Sequence, residues 1–537
     1  MKSLFAQPGT LVSGGILAVL AASASGCSEK GIQALPASSS ATGSAAGPSG
    51  SVPLRSTMLA ATATATNNAA PPTTPCSGNT LTLGPLVPGD LTSGLNQQDF
   101  NCYAWQEMIG LNWPSALPNG GPPSVFGDPA DNGPVTWETY MDVDELFTAD
   151  GSPPPAWSTP STIPAACQSL QDKAIGAARR TRALSMTSKF SELIPSTSSG
   201  QATGKPNWLG AQNGTNLWYE VKVDQDEYDY IVQNKLYNEE GLNAFYKAGP
   251  DARITLPPGT MKFGQTQKLG AIELKAAWMV VTDPTNAKWA RYKKTSAFIY
   301  DAAKDTCSAV TTALVGLHIL HKTSSQPTWV WATFEQVDNV QDPSINVGTP
   351  PSGYNLYNPS CAPQKVTFPA SCAGDGTSTS GTVSCTPNAQ PPYNLGDACP
   401  AAVPIQVART TPLDEDAKAI NALAQSFIRA QNPASVWQYY AVVDVIWSSN
   451  PATQQPQNVP LSFTSPQPPS TAVANTTLET YAQSSRCLDC HQYASIHKGS
   501  KYEADFSFVF HHASSPATQK LRAAAKKASP AAPRKNP

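Results

Sequence analysis

The chain has 537 residues, 35 Lys and Arg against 38 Asp and Glu, 50 Pro and only 14% charged residues. That length allows two or three domains and a sizeable core. A net charge of −3 supplies no basic surface for nucleic acid, and the proline-rich, charge-poor composition points to a loop-rich, β-leaning exported protein rather than a helical cytosolic enzyme.

Lys2 precedes an apolar stretch over residues 11–22, and Ala24-Ser25-Gly26-Cys27 follows. A positive start, an apolar middle and small residues before a cleavage point make residues 1–26 a secretory signal. Ser13, Gly14 and Gly15 break the apolar run, which is too weak for a permanent membrane span. A Cys directly after small residues also fits a bacterial lipoprotein signal, with Cys27 as the lipidated first mature residue and the membrane reached through that lipid. The alternative is an ordinary cleaved signal with Cys27 incidental. Ser28 after the Cys, rather than Asp, suits outer-membrane delivery, so the expected location is periplasmic or cell-surface. Residues 27–75 are mostly Ala, Ser, Thr, Gly and Pro and read as a flexible tether.

A β-rich domain is expected over residues 76–410. Residues 101–114 carry apolar side chains at helical spacing and stop at Pro114. Residues 114–134 read as a Pro/Gly loop and 137–147 as a second short helix. After the turn dipeptide Asn213-Gly214, Leu217, Tyr219, Val221 and Val223 alternate with Trp218, Glu220 and Lys222, which predicts a half-buried strand. A helix over 226–236 follows, then strands over 272–280 and 295–300. Residues 313–321 and 328–337 form an expected antiparallel pair. The Cys-rich loop 361–399 has little core of its own.

The stretch 411–512 is expected to hold a helix and the chemistry. Thr411 is the candidate cap, Pro412 suits the first helical position, and Asp414, Glu415 and Asp416 fill the first turn. Ile420, Leu423, Ala424, Phe427 and Ile428 share one apolar face, and Asn432-Pro433 ends it. Residues 436–447 favour a strand, and 476–481 look helical. Phe506, Phe508 and Phe510 alternate with Asp505, Ser507 and Val509. Residues 513–537 form a basic, solvated tail.

Cys487-Leu488-Asp489-Cys490-His491 is a C-x-x-C-H pentad, the signature of covalent c-type haem attachment. Two thiols a helical turn apart can reach the porphyrin vinyl groups, and the next His is carried beneath the iron as proximal ligand. The expected cofactor is one haem c, with Cys487 and Cys490 as thioethers and His491 on the iron. A structural disulfide between the two cysteines is the bland alternative. Of the 11 cysteines, removing Cys27, Cys487 and Cys490 leaves an even set: Cys76, Cys102, Cys167, Cys307, Cys361, Cys372, Cys385 and Cys399. In an exported chain this suggests up to four disulfides.

No methionine follows His491, so the Met ligation of ordinary small cytochromes c is unavailable after the pentad. The haem must pack on the preceding domain or stay open on one side. His318 or His321 are the distal candidates. Residues three apart on a strand face opposite sides, so both should not face one haem. On that reading His321 shares a face with Val315, Leu317 and Ile319, and His318 with Leu314, Gly316 and Leu320; Gly316 could admit a flat ring. Either His is equally a hydrogen-bonded core residue. His497, His511 and His512 are weaker candidates, and Met261 and Met279 are remote ones. Trp329 and Trp331 share a face, with Trp278 expected near, as a core stripe. No nucleophile elbow, phosphate loop or zinc-protease motif occurs in the chain, and catalytic residues are not assigned.

Several stretches resemble a group of bacterial proteins called cytochrome c family proteins: 105–114, 219–236, 270–278, 316–339 and 473–494, ending in Phe506-Ser507-Phe508. The most distinctive is Gly316-Leu317-His318-Ile319-Leu320-His321-Lys322-Thr323, then Trp329-Val330-Trp331-Ala332-Thr333-Phe334-Glu335. The resemblance spans roughly residues 100–512. It implies an exported single-haem protein, with the haem residues carried over to Cys487, Cys490 and His491, and it implies no particular reaction. Cys27 and its tether depart from the pattern.

The expected fold is α+β, a largely antiparallel sheet with peripheral helices and a C-terminal haem-binding segment. The expected function is single-electron transfer to a redox partner protein or small oxidant. The rivals are a peroxidase- or oxidase-like haem enzyme with an open distal site, and a surface scaffold in which Cys487 and Cys490 merely pair.

Overall fold

The computed structural model describes residues 71–91, 96–115, 125–148, 150–159, 163–170, 183–184, 206–249, 252–260, 268–301, 305–345, 350–396, 398–450, 469, 471–497 and 500–513. The signal, Cys27, most of the tether, Met261 and the basic tail beyond residue 513 lie outside them.

The described residues open with a hairpin of β1 (Thr73–Cys76) and β2 (Asn79–Thr82), ahead of the expected start at Cys76, and continue into α1 (Gln97–Leu111). Then come β3 (Met141–Asp142), α2 (Val143–Leu146), α3 (Ala165–Gln168), β4 (Ala183–Leu184), β5 (Leu217–Val223), α4 (Gln225–Gln233) and α5 (Glu239–Lys247). Strands β6 (Ile272–Val280), β7 (Lys294–Asp301), β8 (Thr306–His321), β9 (Val330–Gln336), β10 (Gln364–Thr367) and β11 (Ser380–Val383) follow. The last elements are α6 (Glu415–Gln431), β12 (Tyr440–Ile446) and α7 (Cys487–His491).

Eight of these strands form one sheet. Its path is β12-β9-β8-β6-β5-β3, with β7 against β8 and β4 against β7. Every pairing is antiparallel except β4 with β7. The fold is therefore mixed α+β around an antiparallel sheet. β12, from the stretch 411–512, pairs with β9 from the preceding stretch, so one sheet draws on both.

The long strand β8 is the pivot, pairing with β6, β7 and β9. Opposite β6 its register passes from Ala277↔Gly316 to Trp278↔Leu314, so Val315 is the extra residue of a β-bulge. The bulge reverses the expected facing. Leu314 joins Leu317 and Ile319 in the core beneath α1 and α6, while Val315 joins Ala313 on the other side. His318 and His321 still face opposite ways, with their companions at positions 314 and 315 exchanged.

One sheet face is covered by α1 and α6. Helix α1 is not peripheral: residues 99–111 are all buried, including Asn101, Gln106 and Glu107. The other face carries two covers. The Cys-rich stretch packs on Leu217, Tyr219, Ala277 and Val315, and α4, α5 and α7 pack on Val223, Trp331 and Ile446. With both faces covered, β5 is buried rather than half-buried, only Trp218 keeping partial exposure.

Four disulfides join Cys76–Cys102, Cys167–Cys307, Cys361–Cys385 and Cys372–Cys399. The last two interleave along the chain and hold the stretch that has little core.

Local departures have physical causes. Asp414, not Thr411, caps α6, its Oδ1 accepting from Ala417 N at 2.8 Å. Residues 137–147 are not one helix, because Met141–Asp142 is drawn into the sheet beside β5. Residues 436–447 divide into a 3-10 turn, Val436–Tyr439, and β12. The 476–481 run forms turns: Asn475 Oδ1 accepts from Thr477 N and Oγ1 at 2.9 and 2.7 Å, side-chain bonds that compete with a helical ladder. The 505–510 alternation is not a strand either: Asp505 and Phe506 take φ of 53° and 68°, and a 3-10 turn, Val509–His512, follows.

Candidate functional site

The pentad forms the single turn α7. Asp489 Oδ2 accepts from Arg486 N at 2.8 Å and so closes its first turn. Leu488 is fully buried in the core and anchors the turn. Cys487, Cys490 and His491 stay half-buried. Positions three and four apart share a helix face, so Cys487, Cys490 and His491 fall on neighbouring positions of the turn. Neither cysteine is disulfide-bonded, although each of the other eight described cysteines is.

His491 is held on several sides. Its Nδ1 lies 2.8 Å from the Phe506 carbonyl oxygen. A carbonyl oxygen only accepts, so Nδ1 carries a proton, and whenever the ring is neutral the lone pair is on Nε2. The ring sits 4.6 Å from Trp331 and 4.9 Å from Phe508, centroid to centroid. The core stripe of the sequence reading thus reaches the pentad. Trp278 does not: its indole N–H donates to Glu220 Oε1 at 2.8 Å and its ring stacks on Trp137, in the core on the α1 side.

The accepting carbonyl is itself fixed. Asp505 and Phe506 are successive non-glycine residues at positive φ, each at a cost on the order of 1 kcal/mol. The surroundings over-determine the turn. Lys322 Nζ donates to Asp505 Oδ2, Leu256 N donates to the same oxygen at 2.7 Å, and Trp329 Nε1 donates to the Asp505 carbonyl at 3.0 Å. Trp329 also takes positive φ, 69°.

The two expected distal histidines have carboxylate partners elsewhere. His318 Nε2 meets Glu479 Oε1 at 2.9 Å. The space beside Gly316 is filled by Thr477 and Asn475, not left for a flat ring. His321 is fully buried. Its Nδ1 meets Glu107 Oε1 at 2.5 Å and Tyr103 Oη at 2.8 Å, and its Nε2 donates to Leu269 O at 2.6 Å. Burial opposes a charged ring here, but the Glu107 carboxylate and the Leu269 carbonyl outweigh it and hold the His321 pKa above its ordinary value. Met279 is buried in the core beside Ala277. His511 lies edge-on to Phe508 at 5.2 Å, His512 Nδ1 is 3.5 Å from Asp144 Oδ1, and the His497 carbonyl accepts from Ser495 Oγ.

The residues suit the group that the pentad implies. Haem attachment needs two thiols a turn apart and an imidazole presenting one nitrogen. Here the two thiols lie on one helical turn, half-buried, and the ring's other nitrogen is tied to a carbonyl, the outer partner that commonly fixes a metal-bound His. Among the described residues no three His, Cys, Asp or Glu side chains converge as a bare metal ion requires. The pentad was legible in the sequence; Phe506, Trp331, Phe508, Lys322 and Asp505 were not, since no short-range pattern links them to it.

No family model, curated protein or solved structure matches the chain.

Proposed function

We propose that this is an exported c-type cytochrome carrying one haem and transferring single electrons. Cys487 and Cys490 would hold the haem by thioethers, and His491 would bind its iron through Nε2. The haem supplies the one-electron couple; the chain positions it and sets its surroundings. The observation that carries the reading is the His491 Nδ1–Phe506 carbonyl bond, which leaves Nε2 as the ring nitrogen to serve as a ligand. The resemblance to cytochrome c family proteins supports the same reading. The four disulfides suit an oxidising compartment, and Cys27 would tether the protein to a membrane by lipid, facing a redox protein or small oxidant.

The test is direct. The chain, expressed with haem-attachment machinery, is run on a denaturing gel and stained for haem, which thioether linkage retains. One haem per chain, lost in Cys487→Ser/Cys490→Ser, is expected; an unstained wild-type band sinks the proposal.

A second reading, a haem enzyme with an open distal site, is favoured by the engagement of His318 with Glu479 and of His321 with Glu107. A holoprotein that binds carbon monoxide or cyanide readily and turns over peroxide selects it. A low-spin spectrum unchanged by those ligands selects the carrier.

A further inference from the structure

The β8–β9 hairpin reaches the pentad by two routes. Trp331 of β9 lies against the His491 ring. The loop between the strands supplies Lys322 at one end and Trp329 at the other, and both grip Asp505. Lys322 and Asp505 are 3% and 7% exposed, so their pairing is shielded from solvent. The Lys322 backbone is pinned too: its N–H donates to Ala271 O at 3.0 Å and its carbonyl accepts from Gly259 N at 2.8 Å. From the other side, Asp505 N donates to Glu503 Oε2 at 2.6 Å, and Glu503 lies 3.6 Å from Arg253 Nε. Asp505 is thus gripped by Lys322 and Trp329 of one loop, by Leu256 N and by Glu503, and the next carbonyl, that of Phe506, accepts a hydrogen bond from His491 Nδ1.

We infer that Lys322 is a positioning residue: through Asp505 it locks the turn that aims the Phe506 carbonyl at His491 Nδ1, and so sets the electron donation of His491 to the haem iron. The haem part of this statement rests on the proposed function; the locking of the turn does not. A backbone turn at positive φ on two side-chained residues relaxes when its anchors go. Once the carbonyl swings away, the imidazole loses its outer partner and becomes a weaker donor. A weaker donor stabilises the oxidised iron less, so the midpoint potential rises.

Removing only one charge would alter the potential by simple electrostatics. The informative variant is therefore Lys322→Met/Asp505→Asn, which deletes both charges and leaves the net charge unchanged. Two readouts follow. In the full chain made without haem, nitrogen chemical shifts of His491 report the tautomer: a single Nδ1–H form is expected in the wild type and a mixture in the double variant. In the holoprotein, the double variant should still stain for haem, with its midpoint raised and the ratio of reduced to oxidised protein at a fixed electrode potential changed roughly tenfold. Wild-type tautomer and wild-type potential in the double variant overturn the inference. Should that variant fail to fold, Trp329→Phe, which deletes one N–H and no charge, is expected to move both readouts the same way, and no movement overturns the inference. A wild-type chain that does not stain defeats the haem reading alone, and the tautomer then decides the turn's role.

Discussion

The His321 imidazole and the Glu107 carboxylate meet at 2.5 Å with both side chains fully enclosed. A buried pair of this kind is expensive to break from one side, because the surviving charge stays in a poor solvent. His321→Ala is expected to lower unfolding free energy by about 3–5 kcal/mol, and His321→Leu/Glu107→Leu by clearly less. Denaturant titrations of the single and double variants check this. Equal losses in the two would mean that the pair carries no charge.

Acidic side chains crowd the same end of the sheet. Burial, then the neighbouring Glu273 and Asp224, push Glu227 well above the ordinary carboxylate range; burial and Asp226 push Asp224 up to about 8, and burial pushes Glu503 up to about 8. Each folded-state pKa is raised, so between the unfolded and folded values the native chain binds more protons than the unfolded chain. Stability then falls as pH rises from about 4 towards 8. Glu227→Gln keeps the shape and removes the ionisation. Its denaturation midpoint should exceed wild type at pH 8 and depend less on pH between 5 and 8. An unchanged slope would show that Glu227 does not titrate there.

Gly316 lies where the 475–479 turns cross β8. A methyl group there would overlap Thr477 Oγ1, with Asn475 Oδ1 at 3.1 Å. Gly316→Ala should cost about 1–3 kcal/mol as an overpacked site. Adding Thr477→Ala removes the obstructing hydroxyl and should return part of that loss. Thermal unfolding of the two variants is the measurement, and no recovery in the double variant would place the strain elsewhere.

The disulfides differ in the length of chain they close. Cys167–Cys307 spans 140 residues and Cys361–Cys385 spans 24. Loop-closure entropy favours the longer bridge, at about 5 kcal/mol against about 3 kcal/mol. Paired Cys→Ser replacements, compared by denaturation without reductant, should therefore rank Cys167/Cys307 as the costlier loss.

Where neighbours in sequence decide the structure, the sequence reading held. Leu217, Tyr219, Val221 and Val223 alternate and form β5; the two runs around the Lys322 loop pair as β8 and β9; Asn432 ends α6. It failed where a distant partner prevails. Asp505 and Phe506 belong to an apparent alternation, yet Lys322, Leu256 and Trp329 bend them into a turn. The Val315 bulge is set by β6 across the ladder, and nothing within β8 announces it. The site divides the same way: the two thiols and the imidazole are adjacent in sequence, while the carbonyl and rings that orient the imidazole arrive by tertiary packing.

The interleaved bridges carry a consequence for biosynthesis. A chain that emerges from its N-terminus presents Cys361 to Cys372 before Cys385 exists to compete, yet Cys361 belongs with Cys385 and Cys372 with Cys399. Within this stretch vectorial oxidation therefore favours a mispaired bond first, and reaching the native connectivity from it requires thiol exchange, a process of seconds to hours depending on oxidant and isomerase. Maturation of this protein should accordingly slow in a host lacking disulfide isomerase, even with ample oxidant.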